Sequence, residues 1–96
     1  MTYDKLDEAG IAQELETVDG WAIEGGALTK EFGFERYKDG LVFAGAVGFA
    51  ADELNHHPDL FVGYGKVRVS MVTHDAGGGL TAFDFELARR IDRLGR

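Results

Sequence analysis

Apolar residues recur along this chain in two periods that take turns, and their order restricts the fold more than any other feature. Ile11 and Leu15 lie one helical turn apart, Asp7 stands where a cap belongs and acids crowd the start, so a first helix is predicted over 7–17. Asp19-Gly20 then turns the chain. Over 28–34, Leu28, Phe32 and Phe34 alternate with Thr29, Glu31 and Gly33, the mark of a half-buried strand. Residues 21–24 read as its hairpin partner across Gly25-Gly26. Lys30 interrupts the apolar face, which places it near an edge.

After Lys38-Asp39-Gly40 comes the longest helical pattern, with Phe43, Val47, Ala50 and Leu54 on one face, and Pro58 stops it. Gly45 and Gly48 inside it each cost roughly 1 kcal/mol relative to Ala, which points to close approach of this helix to a sheet or to another chain. In 61–73, Val67, Val69 and Met71 alternate with Lys66, Arg68 and Ser70, and Gly63 and Gly65 read as bends; two short strands and one bent strand both satisfy this. Beyond Gly77-Gly78-Gly79, Thr81-Ala82-Phe83-Asp84 has the form of a capping box opening a last helix, with Phe83, Leu87, Ile91 and Leu94 as its stripe. Helix, two strands, helix, strand region, helix implies an α+β fold, a layer of helices on one face of a mostly antiparallel sheet. The other sheet face must be covered or polar.

A chain of 96 residues supports one domain spanning 1–96, and a hydrophobic content of 45% suffices for its core. The absence of Cys excludes a disulfide framework, a thiolate metal site and a Cys nucleophile, and fits a reducing compartment. A net charge of −7 is the wrong sign for neutralising phosphates, which disfavours direct nucleic-acid binding. No apolar run is long enough to cross a bilayer and residues 1–7 lack a leader pattern, so no membrane association and a cytoplasmic location are expected.

The titratable groups that stand out are the three histidines, His56 and His57 directly after the long helix in His56-His57-Pro58-Asp59, and His74 in Thr73-His74-Asp75 at a strand end. Imidazole titrates near pH 6.5 and can donate or accept a proton at neutral pH. General acid–base work is open to them, as are plain capping or surface roles and a His/Asp metal site completed by Asp52, Asp59 or Asp75. Asp52, one helical turn before His56, is placed to orient an imidazole or to sit on the helix surface. Asp84 reads as a helix cap rather than a catalyst. Trp21 is the only tryptophan and is either core or a platform for a flat heterocycle.

Asp52-x-x-x-His56-His57-Pro58, followed by Tyr64, Val67 and Thr73-His74-Asp75, resembles the signature of the pterin-4a-carbinolamine dehydratases, also described as dimerisation cofactors of a liver transcription factor. Gly20-Trp21 upstream and Gly79-Leu80-Thr81, Asp84 and Leu87-Ala88 downstream extend the resemblance over most of the chain. It implies a four-stranded antiparallel sheet with three helices packed on one face, a homodimer or homotetramer, and a metal-free site without a cofactor, the pterin being the substrate. The implied reaction removes water from 4a-hydroxytetrahydropterin. By the same resemblance His56 and His74 donate protons to the departing hydroxyl and His57 chiefly binds the pterin, with Asp52 tuning His56. Asn55, Thr73 and Asp75 contact the pterin, and Pro58 fixes the loop after the helix. A role as a coactivator or assembly factor with a protein partner is the alternative. Two departures, Leu60 where an aromatic residue is usual and a Gly77–Gly79 loop one residue longer, bear on pterin affinity and on the placement of His74.

Overall fold

A computed structural model describes residues 1–95. The elements follow the predicted order: α1 (Glu8–Leu15), β1 (Ala22–Glu24), β2 (Ala27–Gly33), α2 (Tyr37–Leu54), β3 (Asp59–Val62), β4 (Lys66–Met71), a 3₁₀ turn (His74–Ala76) and α3 (Ala82–Asp92). The strands form one antiparallel sheet in the order β1-β2-β4-β3, with the three helices packed on one face.

Alternation decides which face each strand buries. Leu28, Lys30 and Phe32 of β2 pair with Met71, Val69 and Val67 of β4, so these side chains share the helix-facing side. Thr29, Glu31 and Gly33 pair with Ser70, Arg68 and Lys66 on the other side, which is largely polar apart from Phe61 and the small Ala22 and Ala27. Gly25 and Gly26 close the β1–β2 hairpin with φ of 58° and 83°, a left-handed pair that favours glycine. The strand region 61–73 resolves into two strands, β3 and β4, joined across Gly63, Tyr64 and Gly65.

Lys30 lies just beyond the end of β1's pairing, and its ammonium leaves the core edge to meet Asp92 of α3 at 2.9 Å and the Asp19 carbonyl at 2.8 Å. Trp21 is buried beside it, edge-on to Phe32, with its indole N–H donating to Asp92 at 3.0 Å. Across α3, Arg89 and Arg90 both grip Glu86, and the Arg90 bond holds that carboxyl below the usual glutamate range. Arg89 also reaches Glu14 and Thr17, tying α1 to α3.

Two expectations about glycine change. The long helix begins at Tyr37, so Lys38-Asp39-Gly40 is its first turn rather than a turn before it. Asp39 suits the positive end of the helix dipole and accepts from Arg36, the residue at the cap. Gly40 makes the close approach to the sheet: a Cβ there would lie 3.4 Å from Val67 and 3.6 Å from Phe34. Gly45 and Gly48 make no close approach within the chain, since a Cβ at either would meet nothing within 4 Å. On α3 the buried set is Asp84, Phe85, Leu87, Ala88 and Ile91, so Phe83 lies at the rim of the stripe predicted to include it and Phe85 takes the core position. Among the described residues no helix is long and apolar enough to cross a membrane.

Candidate active site

The end of α2 aims the first two histidines. Asn55 adopts the left-handed conformation (φ 52°, ψ 44°), its N–H bonds to the Asp52 carbonyl, and the His56 N–H reaches back to Ala51 at 3.0 Å. This Schellman closure satisfies the last helical carbonyls and reverses the chain, so His56 turns inward under the helix end while His57 stays outside. Asparagine is the non-glycine residue best suited to that backbone.

His74 arrives from the end of β4. Thr73 and Gly79 bond as an isolated antiparallel bridge, and Gly77 and Gly78, at φ 66° and 86°, fold the segment back on itself. The glycine-rich loop is therefore a compact turn with its ends tied, and His74 starts its 3₁₀ turn at the surface.

These segments enclose a cleft of about 170 Å³ lined by Tyr3, Asn55, His56, His57, Val72, Thr73, His74 and Asp75. All three histidines and the expected contact residues Asn55, Thr73 and Asp75 meet there. Pro58 and Trp21 do not line it; Pro58 leads from His57 into β3, and Trp21 belongs to the core. A flat ligand in this cleft cannot stack on Trp21.

The histidines differ sharply in their surroundings. His56 is buried, and its Nε2 lies 2.7 Å from Asp84 Oδ1. Asp84 is wholly buried, and its Oδ2 accepts from Thr73 Oγ1 at 2.7 Å and from the Thr81 N–H at 2.9 Å. Thr81 Oγ1 lies 2.8 Å from Thr73 Oγ1 and accepts from the Phe83 N–H. Thr73 Oγ1–H donates to Asp84, so the Thr81 hydroxyl donates to Thr73. Oδ2 thus accepts twice, and with Asp84 as a carboxylate His56 Nε2 carries the hydrogen in the bond to Oδ1. Among the described residues Nδ1 has no hydrogen-bond partner, yet it is not sealed from solvent, and the open side of His56 is the cleft.

His57 is exposed, and its Nε2 bonds Asp52 Oδ1 at 2.9 Å. Asp52 thus partners His57 and not His56, the imidazole it was expected to tune. Its position on the outer side of α2 faces the side chain that stays outside, and the inward one is claimed by α3. Asp84, read as a cap, is a cap and also the buried anchor of His56. The Thr81-to-Asp84 spacing signalled the first role, and nothing local could signal a partner 28 residues away. Tyr3, Val72 and Phe83 also escaped sequence reasoning. Tyr3 stacks on Phe83 (centroids 4.5 Å apart, planes at 16°), and Phe83 lies 5.9 Å from the His56 ring. Among the described residues no group of three His, Asp or Glu side chains is arranged to hold a metal ion.

Residues 4–94 match the family model described as pterin 4 alpha carbinolamine dehydratase. A protein of Sinorhizobium medicae, provisionally named pterin-4-alpha-carbinolamine dehydratase, is 43% identical over 95 residues, 97% of this chain and 90% of that one. One of Sulfurisphaera tokodaii with the same provisional name is 44% identical over 90 residues, covering 94% and 96%. The crystal structure of a Brucella melitensis transcriptional coactivator/pterin dehydratase superposes with a TM-score of 0.86 at 30% identity, covering 93% of this chain and 96% of that one. A pterin dehydratase-like protein identified as a RuBisCO assembly factor in the alpha-carboxysome shares the fold, with a TM-score of 0.64 at 22% identity, covering 76% and 86%. The chain belongs to the pterin-4-alpha-carbinolamine dehydratase family.

Proposed function

We propose that this protein is a 4a-hydroxytetrahydrobiopterin dehydratase, a hydro-lyase that converts the pterin-4a-carbinolamine to the quinonoid dihydropterin and so serves tetrahydropterin recycling. The observation that carries this reading is the buried Asp84–His56 pair with its free Nδ1 toward the cleft. A hydroxyl leaves poorly until protonated. Asp84 holds the ring by Nε2, so His56, when protonated, presents Nδ1–H to the 4a-hydroxyl. As that proton moves, the N5 lone pair expels water and forms the C4a=N5 bond, and N5 then gives up its own proton. One proton is delivered and one removed, so the net change is loss of one water.

His74 is the second proposed donor, for the opposite face of C4a, and His57, steadied by Asp52, chiefly binds the pterin. Asn55, Thr73 and Asp75 offer polar groups to the edges of the pterin. On this reading the enzyme uses no cofactor. The assay is absorbance-monitored decay of freshly made carbinolamine with purified protein; a rate no faster than buffer overturns the proposal.

A second property is favoured by one surface. Leu41, Val42 and Phe49 of α2 are exposed, with Gly45 among them, and their spacing places them on one side of the helix as an apolar stripe. This supports self-association as a homodimer or homotetramer, and the same stripe is where a protein partner would compete.

A further inference from the structure

We infer that Tyr3 is a pterin-positioning residue, its phenol ring being the aromatic wall against which the flat ring system lies. This rests on the dehydratase reading of the same cleft. Tyr3 is the one aromatic residue other than histidine that lines the cleft. Trp21, which the sequence leaves open as a platform, is buried in the core.

The ring of Tyr3 is supported on one side and open on the other. Phe83 covers one face at 4.5 Å, nearly parallel, yet Tyr3 remains 42% exposed, so the uncovered area is the opposite face and the edge. Phe83 in turn lies against the His56 ring, which places the support of Tyr3 beside the proposed acid. The segment carrying Tyr3 is fastened to α3's approach: the Leu6 N–H bonds the Leu80 carbonyl at 2.8 Å and the Leu6 side chain packs on the core. Lys5 crosses Gly79 so closely that a Cβ there would stand 2.7 Å from it.

A heteroaromatic ring stacked on an aromatic side chain gains about 1–3 kcal/mol, which corresponds to roughly a fivefold to hundredfold change in affinity. The experiment compares wild type with Tyr3→Ala, Tyr3→Leu and Tyr3→Phe, measuring kcat and KM for the carbinolamine and calorimetric Kd for unreactive 7,8-dihydropterin. Tyr3→Ala and Tyr3→Leu raise KM and Kd together by at least about fivefold with kcat little changed, while Tyr3→Phe restores both. Leucine keeps apolar packing on Phe83 and lacks the π-face, so a purely structural role would spare it. KM and Kd within twofold of wild type in Tyr3→Ala, with the wild type active, overturn the inference alone. A wild type that neither speeds carbinolamine decay nor binds 7,8-dihydropterin overturns it together with the dehydratase reading.

Discussion

Asp84 Oδ1 holds His56 Nε2 at 2.7 Å, while the other oxygen of the same carboxylate is occupied by Thr73 and the Thr81 N–H. An amide at this position can keep its oxygen toward those two donors only by turning its NH₂ toward His56, which then must present a bare Nε2 and carry its proton on Nδ1 when neutral. Asp84→Asn therefore keeps the shape of the site and reverses the tautomer. General acid–base steps contribute about 10²- to 10⁴-fold, and kcat should fall within that range with KM changed little. Steady-state kinetics with the carbinolamine check this; retention of more than half of kcat would remove Asp84 from the mechanism.

His57 and Asp52 make the opposite case, an exposed pair whose partnership adds little stability. His57→Ala should raise KM about fivefold to tenfold, the worth of one hydrogen bond at roughly 1 kcal/mol, and leave kcat close to wild type. Asp52→Asn should show a smaller KM change in the same direction. Equal loss of kcat and kcat/KM in His57→Ala would mean that His57 acts in the transition state instead.

Much of this was legible beforehand because local patterns carried it. The alternation at Val67, Val69 and Met71 named β4 and its buried face, and the Thr81-Asp84 spacing named the start of α3. His56 and His57 meet Thr73, His74 and Asp75 in one cleft. What could not be read were pairings made by tertiary packing. Which imidazole Asp52 would hold depended on the left-handed turn at Asn55, which sends His56 inward to Asp84. Tyr3 sits in no periodic pattern, and its place follows from the Leu6–Leu80 bond and the Phe83 ring. Trp21 reads from the sequence as either core or platform, and its burial and its bond to Asp92, 71 residues away, put it in the core.

Asn55 has two separable roles. Its backbone must stay left-handed, where glycine is free of strain and a β-branched residue pays about 1–2 kcal/mol. Its side chain lines the cleft. Asn55→Gly should leave chemical denaturation nearly unchanged yet raise KM, while Asn55→Val should lower stability by about that amount and disturb both kinetic terms by misdirecting His56. A rise in KM absent from Asn55→Gly would leave the residue with the backbone role only.

The apolar stripe on α2 can be separated from catalysis because Leu41, Val42 and Phe49 are not among the residues lining the cleft. Phe49 is 78% exposed and Val42 72%, so charged replacements cost the isolated fold little, surface changes being usually within about 0.5 kcal/mol. In a face-to-face contact the same charges would be buried without partners, which costs several kcal/mol. Light scattering on a sizing column should therefore find wild type as a dimer or tetramer and Val42→Glu/Phe49→Glu as a monomer, with kcat/KM retained within about threefold, a change below 1 kcal/mol. A wild type that runs as a monomer at micromolar concentration would refute self-association through this face. A monomeric variant that loses activity would show that the cleft depends on a neighbouring subunit, as when that subunit holds the end of α2 in place.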